Sequence, residues 1–185
     1  MFCKIIDNFI NKSYFEELQQ ALQGDEFPWY YNNNISLLDK EDTTFSNYGF
    51  THWLYNDYGV TDSQVAHFVR PLTSQILDAT ECNKILRVRA DMVTWSPNNF
   101  LHNAHQDFSF PHKASVFYIN ESDGDTVFYN VTKNQYNRNC KIQKRVSPKP
   151  NRLVIFDGDL MHSGHSPTKY KRRIIINSNF KNSYT

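Results

Sequence analysis

The sequence predicts a mainly β protein, a sandwich or barrel of short strands preceded by two covering helices. Three observations carry this. Up to about residue 84, apolar side chains recur at helical spacing in two stretches. From Ile85 onward the runs become short, β-branched and aromatic, and turn residues separate them at close intervals. The length of 185 residues suits one domain with a sizeable core. We therefore expect a single domain over 1–185, with 1–84 as helical and aromatic support and 85–181 as the β core.

The elements follow in order. Residues 11–23 read as a helix: Tyr14, Phe15, Leu18, Ala21 and Leu22 form an apolar stripe, Ser13 with Glu16 makes a capping box, and Gly24 stops it. An aromatic, Asn-rich stretch follows, with 28–31 and 50–55 as strands or ordered loops and the region 27–58 as a lid or substrate wall. A second helix over 62–79 carries Val65, Phe68, Val69, Leu72, Ile76 and Leu77, and Pro71 within it predicts a kink or a break. Strands are expected over 85–95, 114–120, 126–130, 140–146, 152–156 and 173–180, divided by turns such as 96–99, 122–125 and 147–150.

Composition narrows the function classes. With 20 Lys+Arg against 19 Asp+Glu the net charge is +1, which disfavours a nucleic-acid coat. The basic run 141–145 reads as a solvated strand face. Three cysteines, Cys3, Cys82 and Cys140, without a C-x-x-C pair read as small buried hydrophobes in a reducing compartment. Charges at Lys4 and Asp7 interrupt any signal-peptide apolar region, and no apolar run approaches the roughly 18–20 residues that span a bilayer. These features predict a soluble protein with no membrane partner, in the cytoplasm, or in the host cytoplasm for a viral chain.

Seven histidines raise the question of which of them act together. In an extended chain His105 and Asp107 point to one face and can chelate one metal ion; a third ligand is available from the segment 157–165, which holds His162 and His165. Two histidines and one carboxylate on one face of a metal leave open positions, the arrangement of non-haem Fe(II) oxygenases. His102 competes with His105 but lacks a carboxylate two residues on. About ten residues after His162, Arg172 or Arg173 could grip a carboxylate with its planar fork. Alternation favours Arg173: Ile175, Asn177 and Asn179 then share its face while Ile174, Ile176 and Phe180 pack against the helices.

Taken together, His105-Gln-Asp107, Tyr118-Ile-Asn120, Asp123–Phe128, Asn151–Asp157, His162 and Arg173–Asn177 resemble, in order, the Fe(II)- and 2-oxoglutarate-dependent dioxygenases, in the prolyl-4-hydroxylase-like branch with phage and bacterial members. The match covers about 85–180. The resemblance implies a double-stranded β-helix (jelly roll, cupin-like), with N-terminal helices bracing the larger sheet. It implies His105, Asp107 and His162 as iron ligands, and Arg173 and Tyr118 as binders of the distal carboxylate of 2-oxoglutarate. Thr126 and Asn120 would line the pocket. Fe(II), 2-oxoglutarate and dioxygen would be consumed or held, with ascorbate as a reactivating reductant. The retained Asp107 implies hydroxylation or another oxygenation rather than halogenation. The turn that often carries Gly-Gly is Gly124-Asp125 here, and the proline after the second histidine falls at Pro167, which keeps His165 open as an alternative to His162.

His52 and His67 read as structural and His112 as a loop residue at the pocket rim. Two rivals share the pattern: a cupin-like metal-dependent isomerase or hydrolase, and a non-enzymatic jelly-roll binding module. The substrate, peptide, protein or small molecule, and the oligomeric state have no readable motif.

Overall fold

The computed structural model describes residues 3–36, 47–56, 59–60, 64–137 and 139–183. Its elements in chain order are β1 (Cys3–Asp7), α1 (Lys12–Gln23), β2 (Tyr30–Asn32), β3 (Gly49–Asn56), β4 (Gly59–Val60), α2 (Gln64–Thr80), β5 (Lys84–Thr94), β6 (Lys113–Tyr118), β7 (Thr126–Thr132), β8 (Lys144–Val146), β9 (Arg152–Asp157), β10 (Leu160–Gly164) and β11 (Arg172–Lys181). The larger sheet runs β1-β9-β6-β11-β5-β3-β2 with β4 attached to β3, and the smaller runs β10-β7-β8. Every pairing is antiparallel. The protein is thus mainly β with two helices, as the change of period at residue 85 predicts.

Strand alternation divides the larger sheet into two chemically different faces. On one, Val88, Ala90 and Met92 of β5, Phe117 of β6, Leu153 and Ile155 of β9, and Ile174, Ile176 and Phe180 of β11 pack against Leu18 and Leu22 of α1 and Val69, Leu72 and Ile76 of α2. Each such aliphatic side chain contributes about 1.5–3 kcal/mol relative to exposure. On the other, Ala114, Val116, Tyr118, Val154, Phe156 and Ile175 meet Phe128 and Val146 of the smaller sheet. The two sheets therefore enclose a second core, and the polar residues of β5 and β11 face it.

Both helices depart from their sequence reading in instructive ways. The cap of α1 is Asn11, not Ser13: its side chain accepts from the Tyr14 amide at 2.9 Å. Asn151 sets this start by bonding both backbone groups of Ile10, accepting from its N–H at 3.0 Å and donating to its carbonyl at 2.8 Å. In α2, Pro71 neither ends nor splits the helix. The Tyr14 hydroxyl donates to the Phe68 carbonyl at 2.8 Å and accepts from the Leu72 amide at 3.3 Å, so it bridges the pair that the proline ring forces apart. The expected first residues of this helix, 62–63, lie outside the described residues.

Elsewhere the structure adds and trims. Strands β1 and β10 lie outside the expected set, and the expected strand 140–146 shortens to Lys144–Val146. Cys3 is buried, whereas Cys82 and Cys140 are only partly so, and all three are free thiols. His67 is exposed on α2 rather than packed. Of the region 27–58, residues 37–46 and 57–58 lie outside the described residues. Among the described residues, no helix is long and apolar enough to cross a membrane.

Candidate metal centre and pocket

The chain from Leu101 to Asp107 is not the regular strand that the H-x-D spacing suggested. It makes two isolated bridges, His105 to His162 in β10 and Leu101 to His165 just after that strand. At the first, each histidine amide donates to the other's carbonyl at 2.9 Å, which sets the two rings opposite one another with centroids 4.6 Å apart. His105, Asp107 and His162 come together so that one ligand atom from each lies within 4.8 Å of the others.

Hydrogen bonding prepares both rings for a cation. His105 Nδ1 lies 3.0 Å from the Asn103 carbonyl and His162 Nδ1 2.9 Å from the Leu160 carbonyl. A carbonyl only accepts, so both Nδ1 atoms carry hydrogen and both Nε2 atoms keep their lone pairs when the rings are neutral. Burial pushes the His162 pKa down to about 4, with His105 adding to the shift and Asp107 opposing it, so the ring is neutral at physiological pH. His162 Nε2 is buried, makes no hydrogen bond among the described residues and lies 3.8 Å from Asp107 Oδ2. An orphaned lone pair beside a carboxylate and a second histidine fits a divalent metal ion.

Asp107 is held from the rigid sheet. Arg87 donates to Oδ1, Asn179 Nδ2 donates to Oδ2 at 2.8 Å, and Arg87 Nε closes the ring by donating to Asn179 Oδ1 at 3.1 Å. Arg87 and Asn179 are paired neighbours on β5 and β11. Burial alone would raise the Asp107 pKa, but the Arg87 guanidinium, with Arg89 behind it, outweighs it and holds the carboxylate ionised. The sequence reading placed Asn179 on the face of Arg173 without giving it a role, and it did not reach Arg87. The signal was present: charges at 87, 89 and 91 alternate with buried Val88, Ala90 and Met92, so they point into the interior between the sheets.

One pocket joins His105 and His162 to Arg173, with Thr126, Asn177 and Asp91 also on its wall. Arg173 is buried on the inward face of β11 and donates from Nη2 to Thr126 at 2.7 Å; its Nε has no partner. Arg172 points the other way and donates to the Gln23 carbonyl at the end of α1. Tyr118 lies under the Arg173 guanidinium, 5.6 Å from ring centroid to carbon, and its hydroxyl is bonded to Thr126 at 2.6 Å. Tyr118 thus reaches the pocket through Thr126. Gly124 lets the turn before β7 close over Arg173: a Cβ there would collide with the His165 carbonyl and lie 3.0 Å from Arg173 Cδ.

The competing histidines have other partners. His165 donates from Nδ1 to the Asn99 carbonyl and accepts from Arg145 on Nε2, both at 3.0 Å, so neither nitrogen is free. His102 lies against Asn47 and Ser166. His112 is buried rather than on a rim, and its Nδ1 donates to the Phe110 carbonyl. Asn120 clamps backbone groups of Arg172 and Ile174 instead of lining the pocket. His52 is buried, bonded to the Pro28 carbonyl and packed on Phe27.

No protein-family model matches the sequence, and no curated protein matches it. Solved structures do. A 2OG-Fe(II) oxygenase family oxidoreductase from Burkholderia pseudomallei superposes with TM-score 0.68 at 10% identity, over 97% of this chain and 85% of that one. A Pseudomonas putida prolyl-4-hydroxylase gives 0.60 at 12%, over 98% and 92%. The non-heme alpha ketoglutarate dependent epimerase SnoN from nogalamycin biosynthesis gives 0.68 at 8%, over 98% and 79%. Over nearly its whole length, this chain has the fold of the 2OG-Fe(II) oxygenases.

Proposed function

We propose that the chain is an Fe(II)- and 2-oxoglutarate-dependent oxygenase, one domain over 1–185 whose two sheets form a double-stranded β-helix. The observation that carries this reading is a pocket with His105 and His162, the two histidines of the His105/Asp107/His162 cluster, on one wall and the buried Arg173 guanidinium on another. The same fold in solved oxygenases supports it. His105 and His162 would ligate iron through Nε2 and Asp107 through one carboxylate oxygen. When bound, iron(II) and 2-oxoglutarate supply the oxidation, in which 2-oxoglutarate and dioxygen give succinate and carbon dioxide while one oxygen atom enters a substrate C–H bond.

The chain's own part is binding and orientation. Arg173, on the pocket wall with its Nε unpartnered among the described residues, pairs with the distal carboxylate. Thr126 takes one guanidinium hydrogen bond and so fixes the fork, and Tyr118 braces Thr126 from behind. Arg87 and Asn179 keep Asp107 ionised and in one rotamer, which leaves the lone pairs facing the histidines for the metal. We read the reaction as hydroxylation of peptidyl proline or a related substrate.

Thermal unfolding with Mn(II) in place of iron tests this. Joint stabilisation by Mn(II) and 2-oxoglutarate, lost in His162→Ala and Arg173→Ala, is the expected result. Stabilisation by metal alone would favour the cupin-like isomerase or hydrolase, and no response would favour a binding module. Asp107→Ala should abolish succinate formation from 2-oxoglutarate in the iron-loaded protein.

A further inference from the structure

Beside the metal centre the interior opens into a vestibule lined by Ser36, Arg87, Arg89, His105, Gln106 and Asp107, with Ile35 as its one aliphatic side chain. It is separate from the Arg173 end of the pocket, and Arg89 and His105 line both. Such a lining suits a ligand rich in hydrogen-bond acceptors better than an apolar one.

Arg89 is built to present its outer edge there. Its Nε donates to Asp91 Oδ2 at 2.9 Å, and the other Asp91 oxygen accepts from Thr51 at 3.1 Å, so the inner edge of the guanidinium is tied down and Asp91 is fully engaged. The guanidinium sits over Trp53, 5.8 Å from the ring centroid, on a side chain only 17% exposed. Neither Nη atom makes a hydrogen bond to the described residues. Four N–H groups in a fixed plane, oriented from behind and facing a cleft, match the two oxygens of a carboxylate or phosphate.

Charge points the same way. Arg87 stands against Asp107 and Arg89 against Asp91, so the four side chains cancel. Loading the His/Asp/His cluster with a divalent ion leaves this corner cationic before any substrate arrives. We infer that the substrate of this enzyme carries an oxyanion, a carboxylate or a phosphate, close to the oxidised carbon, and that Arg89 binds it bidentately. This rests on the oxygenase reading for the word substrate; the anion site itself rests on the geometry of Arg89.

The test compares charged ligands with neutral isosteres. N-acetyl-proline is set against N-acetyl-prolinamide, and N-acetyl-O-phosphoserinamide against N-acetylserinamide, on protein saturated with Mn(II) and 2-oxoglutarate so that Arg173 is occupied. The charged member of one pair should bind about tenfold more tightly, and which pair responds separates carboxylate from phosphate. Arg89→Gln should remove the preference while the protein still binds Mn(II) and 2-oxoglutarate together, and Arg89→Lys, which keeps the charge without the fork, should reduce it severalfold and carries the test if Arg89→Gln does not fold. No preference in either pair, or a preference that survives in Arg89→Gln, overturns the inference. Repeating the titrations on metal-free protein keeps the two readings apart: a protein that ignores Mn(II) with 2-oxoglutarate yet still prefers anions through Arg89 fails the first and not the second. A metal-free preference that survives Arg89→Gln and disappears in Arg173→Gln would assign the anion to the other end and also overturn the proposal.

Discussion

The two faces of β11 differ more than any two elements of the fold. Toward the helices it presents Ile174, Ile176 and Phe180, each fully buried among aliphatic and aromatic neighbours. Toward the smaller sheet it presents Arg173, Asn177 and Asn179, also buried, with Arg173 Nε and Asn177 Oδ1 lacking any partner. One strand therefore packs mainly large apolar side chains on one side, with Ser178 as a buried hydroxyl among them, and an arginine and two asparagines on the other. Substitutions on the two faces should separate folding from binding.

The largest effect on stability belongs to the helix-facing side. Ile176→Ala removes a fully buried side chain from a sheet held between two layers and should cost about 2–5 kcal/mol. Denaturant unfolding measures it, and Mn(II) affinity of the remaining folded protein should be unchanged. A loss of metal affinity larger than the loss of stability would mean that the two faces are coupled through the strand.

On the inward side, Arg87→Met should act mainly on metal binding. It removes the donor to Asp107 Oδ1 and the bond that orients Asn179. Removing such an outer partner of a metal ligand typically costs about 10–100-fold in metal affinity. Titration with Mn(II) followed by calorimetry reads this directly. Electrostatics alone predicts the opposite, because a cation beside a cation site is being removed. Tighter Mn(II) binding in Arg87→Met would show that charge, not orientation, is what Arg87 contributes.

Asn177→Leu sharpens the contrast further. Replacing a buried, unpartnered amide by an aliphatic side chain of similar volume should leave the metal-free protein as stable or raise its stability, by up to about 1–3 kcal/mol. The same change removes a polar group from the wall of the pocket and should weaken 2-oxoglutarate binding. A destabilised variant would mean that the amide has a structural role.

How much of this was legible depended on whether a period existed to be read. Alternation along 173–180 sorts Arg173 from Arg172, because Arg173 shares its side with Asn177 and Asn179 while Ile174, Ile176 and Phe180 pack on the helix-facing side. The same rule applied to 85–95 would have exposed Arg87, Arg89 and Asp91 as inward charges. The segment 101–107 has no such period: its backbone bonds run to β10 and the residue just after it through isolated bridges, and the partner strand is nearly sixty residues away in sequence. There the residue types pointed to a metal, but the local conformation could not be read. Strand β1 was hidden for a different reason, as an edge strand of which only Cys3 is fully buried. The choice between Asn11 and Ser13 as cap is set by Asn151, some 140 residues downstream, where no local pattern reaches.

The smallest predicted effect lies where β1 meets β9, outside both faces. Asp7 accepts from Arg152 Nε at 2.6 Å and from Lys149 at 3.1 Å, and these bonds, led by Arg152, lower its pKa to about 2. The unfolded chain has an Asp pKa of about 3.9. Protons thus bind the unfolded state first, so the contribution of Asp7 is fully present above pH 4 and is lost as the pH falls from about 4 to 2. The carboxylate is 35% exposed, and solvent screening keeps the contribution below about 1 kcal/mol. Asp7→Asn should therefore lower stability slightly at pH 7 and make no difference at pH 2. Equal destabilisation at both pH values would assign the role of Asp7 to shape rather than charge.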